Sequence, residues 1–399
     1  MNQLASKAYK FHAVEDHPSH SMFKKAHTEY GVAIKQAKEQ HWKIFLEEIT
    51  GTELWMAHQY MTIPIGDGGK ARIPTLWVVE QDGTVSSITS NEEKGAALCR
   101  LFFPAKPAQS LILPGSEYPD HITYDFRPSL AQLKHCVARL SPHKATGDDG
   151  ILNIVLKESL ELIVEYLLHM FRATFTLNTY SACWRTWDTI ILWKPGKPRY
   201  DLPKAYRPIA LMNTIGKLLS AMVAEDLSYM CEQYTLLPDS HFRGRPGRCT
   251  MDAMHLLVHK IKSAWQRGKV AAVLYLDIKG AFPNAVTSCL LHNMHMWRVP
   301  ERYVRFIEQM LMNQQTRLKF DGFVSEWVRV NNGIVQGDPL SMILYLFYNA
   351  DLIDGAKKGE AKIAYVDDTN YYVEGADFEG AYGKLREMMV RDGGGQDWS

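Results

Sequence analysis

Apolar and polar residues alternate with two different periods along this chain, and the period changes mark out its elements. From Met22 to Glu48, Phe23, Tyr30, Val32, Ile34, Trp42, Ile44, Phe45 and Leu46 are interleaved with Lys and Glu at helical spacing, which predicts one or two amphipathic helices. The same spacing predicts helices over Asn91–Phe103, Ser129–Leu140, Ile151–Phe175, Thr214–Gln233, Met251–Gln266, Glu301–Asn313, Met342–Ile353 and Phe378–Val390, with Thr250 placed to cap the one at Met251. Period-two or continuous apolar runs predict strands over Asp188–Trp193, Val270–Leu276, Thr316–Phe320 and Trp327–Val330, and short strands or a hairpin between Tyr60 and Ser87, where GDGG and QDG break the run. The run VAAVLYL at Val270 is apolar at every position, as expected of a central strand buried on both faces. The pattern as a whole is α+β, an antiparallel sheet backed by helices. A Pro-rich connection from Pro104 to Pro119 divides a mainly helical region, residues 1–115, from the rest of the chain; residues 116–180 read as a helical extension and 181–399 as the main mixed domain.

The stretch AKIAYVDDTNYYVEG, residues 361–375, reads as a β-hairpin with Asp367 and Asp368 at its bend. Successive strand side chains face opposite ways, so two adjacent acids can serve one site only where the backbone turns. Asp277 ends the apolar strand at Val270. Bringing that strand end to the hairpin tip would gather three carboxylates, which raise one another's pKa unless a cation compensates them. Magnesium, a hard ion that takes oxygen ligands and keeps places for water and phosphate, is the natural partner. Two such ions about 4 Å apart serve in-line nucleotidyl transfer.

Charge changes the picture next. The formal net charge is only +1, but from Trp184 to Val270 there are 14 Lys and Arg against 7 Asp and Glu. A basic segment followed by paired acids suits a polyanion held over a metal site. The six cysteines are scattered without a C-x-x-C pair and read as reduced thiols. No signal-peptide pattern and no stretch of about 18 uncharged apolar residues occurs, so the expected setting is intracellular, cytoplasmic and nuclear, without membrane or secretion.

LYLDIKGAF, NNGIVQGDPLS and AYVDD, in this order, resemble the palm motifs of reverse transcriptases, in wording closest to the non-LTR retrotransposon type found in fungi. YRPIAL resembles the fingers motif of that family, HFRGRPGRCTMDAM its next block, and HKATGDDGILNIVLK the N-terminal extension of the non-LTR and group II intron branch. The resemblance implies a right-hand polymerase fingers and palm. It implies an RNA-directed DNA polymerase that adds dNTPs to a DNA primer on an RNA template, with two Mg2+ ions for which Mn2+ can substitute. It makes Asp277 and Asp367 metal ligands, with Asp368 completing the acidic cluster. Phe282, five residues after Asp277, falls where the family keeps a bulky residue that rejects a sugar 2′-OH; a core aromatic is the alternative. Gln336 and Gly337 fall in the segment lining the nucleotide and template pocket, and Arg207 corresponds to the arginine that clamps the triphosphate. Lys194 is a second candidate phosphate contact. Arg243, Arg245 and Arg248 would hold template or primer phosphates, a solvated basic loop being the other reading.

His292 and His295 stand three apart, but the sequence places no third ligand, so no zinc site is read there. Only 31 residues follow Asp368, so we expect a chain without the primer grip and thumb, a fragment of a longer element. The competing functions are a non-catalytic relic that only binds nucleic acid and an RNA-directed RNA polymerase. Oligomeric state is not legible.

Overall fold

In a computed structural model of the chain, the described residues are 17–48, 73–79, 84–107, 112, 115–125 and 127–391. The expected strand pattern between residues 60 and 72 lies outside them. The chain divides into two compact units, Met1–Ala71 and Arg72–Ser399. Among the described residues of the first, helix α1 spans Pro18–Glu48.

The second unit opens with a hairpin of β1 (Leu76–Val79) and β2 (Val85–Ile88), then helix α2 (Asn91–Phe102), capped by the Ser90 hydroxyl. Helices α3 (Leu130–Arg139) and α4 (Asn153–Thr176) follow, and strand β3 (Thr186–Trp193) pairs antiparallel with β4 (Tyr206–Met212). Next come α5 (Thr214–Gln233), α6 (Thr250–Gln266), β5 (Val270–Asp277), the single turn α7 (Ala281–Asn284), α8 (Thr287–Met296) and α9 (Glu301–Leu311). Strands β6 (Gln314–Phe320), β7 (Phe323–Val324) and β8 (Val328–Val330) precede α10 (Ser341–Tyr348), α11 (Ala350–Ile353), β9 (Glu360–Tyr365), β10 (Asp368–Gly375) and α12 (Phe378–Arg391).

Two larger sheets result. One is antiparallel in the order β5, β10, β9. The other runs β4, β3, β6, β7, with β8 also on β6 and the β3–β6 pair parallel. Strand β4 was hidden in the sequence by its Pro-rich context. Pro208 lacks an N–H for the ladder and is tolerated because β4 is an edge strand. The expectation for β5 needs correcting in one respect: it is an edge strand, half-buried along most of its length, while β10 is central. Its apolar run still reflects two covered faces. Ala272, Leu274 and Leu276 pack with Met388 and Ala381 of α12, while Ala271 and Val273 pack on the opposite face with Ala253 and Leu257 of α6. Both faces are covered by helices, so both alternating sets must be apolar.

Residues 73–103 do not stand apart. Ile73, Leu76, Leu98 and Phe102 share a core with Ile191, Tyr206, Leu318 and Phe320 of the five-stranded sheet, so the boundary expected at residue 115 falls inside the second unit. Helix α6 begins one residue earlier than expected. Cys249 is its N-cap, Thr250 its first residue, and Asp252 reaches back to accept from the Cys249 N–H at 2.7 Å.

The largest core gathers α3, α4, α5, α8, α9 and α10 around Phe171, Leu218, Met222, Tyr303, Ile307 and Phe347, all fully buried. Inside it the Tyr303 hydroxyl donates to Asp226 Oδ2 at 2.9 Å and Gln132 Nε2 donates to Asp226 Oδ1 at 2.8 Å, joining α3, α5 and α9 through one carboxylate. Burial pushes the Asp226 carboxyl up, and these two donors oppose the shift. Tyr303→Phe should therefore lower the stability of the fold by about 1–3 kcal/mol in urea unfolding, because it leaves a buried acceptor without its donor. A change within error would show that Asp226 does not depend on that hydroxyl.

Candidate active site

The register places the three acidic residues singled out in the sequence at one corner of the three-stranded sheet. Asp368 pairs directly across the antiparallel ladder from Asp277, and residues opposite one another on such a pair share a face with Cβ atoms about 5 Å apart. Asp368 also pairs with Tyr365, which leaves Val366 and Asp367 as the two residues of the hairpin turn. The adjacent acids thus lie at the bend, where the backbone turns between β9 and β10. Asp367 is half-buried, and its carboxyl is held above the usual range first by burial and then by the charges of Asp368 and Asp277, with Arg243 opposing.

The turn is strained. Val366 has φ +69°, a region that β-branched residues rarely enter. Glycine is the ordinary occupant of such a first turn position, but here the valine side chain is buried in the main helical core, at 2% exposure. The Val366 carbonyl accepts from Asn349 Nδ2 at 3.1 Å. Asn349 also explains why the helix expected over Met342–Ile353 is two, α10 and α11: it is the residue between them, and its side chain is committed to the hairpin. A strain of about 1–3 kcal/mol persists only where the surroundings over-determine it, and here one side chain and one hydrogen bond do so.

Phe282 sits on the turn after Asp277, its ring centroid 5.1 Å from that of Tyr345. Tyr345 is fully buried, and its phenol is pushed up by burial and by the charge of Asp367. The ring pair therefore lies beside the acids. The Phe282 carbonyl accepts from the Ile334 N–H at 2.8 Å and Ala285 accepts from Gly333 at 3.0 Å, so the segment 331–341 is docked on the turn that carries Phe282. Gly333 has φ +92°, and a Cβ there would lie 2.6 Å from the Pro283 carbonyl oxygen. Further along, the Ala210 N–H donates to the Gln336 carbonyl at 3.2 Å, and Gly337, with φ +120°, lies against Ala210 of β4. Gln336 and Gly337 are both exposed.

Below this loop, Asp338 is buried. It accepts from the Leu340 N–H at 2.7 Å and from Ser220 Oγ at 3.1 Å, with the charge of Lys217 nearby, and burial still pushes its carboxyl up to about 6. Sequence reasoning missed Tyr345, Asn349 and Asp338. For Asn349 a signal existed, the one amide within the apolar run MILYLFYNADLI.

Strand β4 brings Arg207 to the end of the β3–β4 ladder, opposite Leu192 and exposed. Lys194 follows immediately after β3. Its ammonium donates to the Lys204 carbonyl at 3.1 Å and is held below its usual pKa by burial and by the charges of Lys197 and Arg207. Lys197 and Arg207 thus lie near enough to Lys194 to disfavour its charge, a gathering of cations as at sites that take anions.

The three arginines of HFRGRPGR separate. Arg243 is exposed, with its guanidinium carbon 5.3 Å from the Tyr365 ring centroid, next to the acidic corner. Arg245 is buried, donates to both Glu232 carboxylate oxygens at 2.6 and 3.0 Å and to the Pro238 carbonyl at 2.7 Å, and is not placed to meet a nucleic acid. Arg248 bonds Asp239 and approaches Glu232 at 3.7 Å. These two arginines shape the loop, whose Ser240–Phe242 segment adds to the free edge of β9 through Ala364.

The fold and the site define an α+β protein with a carboxylate corner on an antiparallel sheet and a cationic strand in the same unit. Residues 194–390, just under half of the chain, match the family described as "Reverse transcriptase (RNA-dependent DNA polymerase)". The chain is similar to the "Probable RNA-directed DNA polymerase from transposon X-element" of Drosophila melanogaster, 28% identical over 221 residues, 55% of this chain and 24% of the relative. It is similar to the "RNA-directed DNA polymerase from mobile element jockey" of Drosophila funebris, 26% identical over 246 residues, 60% of this chain and 27% of that one. The "Putative 115 kDa protein in type-1 retrotransposable element R1DM" of Drosophila melanogaster is 26% identical over 279 residues, 68% of this chain and 25% of that one. These are proteins of non-LTR retrotransposons, and the chain spans about a quarter of their length.

Two outcomes test the supporting structure. Gly333→Ala should destabilise by about 2 kcal/mol or more in thermal unfolding, since a clash with backbone cannot be relieved by rotating a side chain; unchanged stability would mean that the loop is not docked there. For Asp338 the native carboxyl binds its proton more tightly than the unfolded one. Its ionisation between about pH 4 and pH 6 therefore costs stability, up to about 3 kcal/mol. Stability measured against pH should consequently favour Asp338→Asn over the wild type progressively as pH rises through that window. A constant difference would contradict the assignment.

Proposed function

We propose that this chain is the catalytic core, fingers and palm, of an RNA-directed DNA polymerase of a non-LTR retrotransposon. It would join dNTPs to a DNA primer 3′-OH on an RNA template. The observation that carries the reading is the register that sets Asp368 across from Asp277 with Asp367 on the adjoining turn. Three acids in one corner, one of them half-buried, fit divalent cations, because among the described residues Arg243 is the cation that opposes their charge on Asp367, and one guanidinium cannot balance three carboxylates. Asp277, Asp367 and Asp368 are the residues that would hold two Mg2+ ions, with Mn2+ as a substitute. Bound there, such ions activate the primer hydroxyl and offset charge on the reacting phosphate.

The remaining residues bind and orient. In the reaction the primer 3′-oxygen attacks the α-phosphorus, and the bond to the β,γ-diphosphate breaks. Arg207 and Lys194, on the cationic end of the β3–β4 hairpin, receive the triphosphate, Arg207 through its planar fork. Gln336 and Gly337, exposed on a loop fixed to β4, line the nucleotide and template pocket. Phe282, backed by Tyr345, rejects a 2′-OH by its bulk. Arg243 meets template or primer phosphate close to the acids; Arg245 and Arg248 hold its loop in place.

Primer extension on an RNA template with Mg2+ and dNTPs tests the proposal. Asp277→Asn and Asp367→Asn should each lower the rate on the order of a thousand-fold while the chain still binds template. Extension that survives both would overturn the catalytic reading, and binding without extension in the wild type would leave a relic. Phe282→Ala should relax rejection of rNTPs by about a hundred-fold. Discrimination unchanged in that variant would remove the gate and favour an RNA polymerase.

A further inference from the structure

Away from the carboxylate corner, the segment Tyr118–Tyr124 crosses the turn between α8 and α9. Ile122 N–H donates to the Arg298 carbonyl at 3.0 Å, and Arg298 Nε donates to the Asp120 carbonyl at 3.0 Å. This crossing brings His121 against His295 of α8 and Glu301 of α9. His121 Nε2 lies 3.3 Å from His295 Nδ1 and 3.6 Å from Glu301 Oε2, and His295 Nδ1 lies 3.5 Å from the same oxygen. The three atoms form a nearly equilateral triangle. A tetrahedral ion with ligands at about 2.05 Å separates them by about 3.3 Å, so the triangle has the size of one face of a zinc coordination shell.

The groups behind these atoms point them inward. His121 Nδ1 faces the Val299 carbonyl, which can only accept, so this nitrogen carries the proton and Nε2 presents its lone pair to the cluster. The other oxygen of Glu301 is taken by Arg305 Nε at 2.8 Å, which leaves Oε2 for the cluster. Tyr118 stacks on the His295 ring with centroids 4.6 Å apart. Its hydroxyl bonds His292 Nδ1 at 3.1 Å. His292, the partner that sequence spacing offered to His295, is therefore turned to Tyr118, and the other two ligands come from residues 174 positions upstream and six positions downstream of His295.

We propose that His121, His295 and Glu301 bind one Zn2+ ion, with water in the fourth place, and that the ion pins the segment before α3 onto the α8–α9 turn. Two imidazoles and one carboxylate suit zinc and its borderline neighbours rather than magnesium, so this site and the acidic corner would take different metals. All three side chains remain partly exposed, which gives the ion a path in.

The test uses the full chain stripped with chelator and dialysed. Zinc content by elemental analysis should rise to one tightly held ion per chain, and Co2+ in its place should give the strong visible bands of four- or five-coordinate geometry. His121→Ala and His295→Ala should lose both signals, Glu301→Gln should weaken zinc binding at least about ten-fold, and Asp367→Asn should keep it. Saturating zinc should raise the melting temperature of the wild type by about 5 °C and leave the two histidine variants unmoved. Circular dichroism without metal establishes that those variants fold. No retained zinc and no Co2+ bands in the wild type would overturn the proposal. So would retention that persists in both histidine variants, which would place the metal on other histidines.

Discussion

Everything around the carboxylate corner is arranged to keep like charges together. Asp277 and Asp368 face each other across a ladder where like charges are unfavourable, and Asp367 joins them from a turn that a valine occupies at positive φ. Two anchors hold that turn: the Val366 side chain in the helical core and the Asn349 amide on its carbonyl. The core thus gives up some stability to fix the charge cluster, which is the arrangement expected where strain is part of a site rather than a defect of the fold.

The same helical core supports the second wall. Tyr345 and Asn349 lie within and just after α10, and the loop that leads into α10 carries Gln336 and Gly337 and rests on buried Asp338. One short helix therefore positions the hairpin turn, the ring behind Phe282 and the Gln336 loop together. The cationic end of β3 and β4 comes from the other sheet, whose edge strand touches that loop at Ala210. Residues 194–390, the part that matches the reverse transcriptase family, hold every one of these site residues.

Much of this was legible in the sequence, and the reasons are local. Helical spacing and caps placed the long helices nearly to the residue, as with Thr214–Gln233, and the acids could be placed at a strand end and a hairpin bend because the two periods of backbone structure leave few alternatives. Strand β4 was not legible, since an edge strand tolerates the proline that usually argues against one. Nor was the edge position of β5, because an apolar run reports covered faces and says nothing of paired edges. Three arginines within six residues look alike in sequence; only the fold shows that Arg245 is inside, bonded to Glu232, and Arg243 outside. The cluster at His121 could not be read at all, since its members are brought together by a crossing of distant segments.

The proposed chemistry rests on Asp277, Asp367 and Asp368 forming one divalent-cation site. Mn2+ binding followed by electron paramagnetic resonance addresses it without requiring template, primer or turnover. Binding is expected in the wild type and its loss in Asp277→Asn and in Asp367→Asn, although one residue ends β5 and the other lies on a hairpin turn 90 positions further along the chain. Equal binding in the wild type and both variants would contradict it.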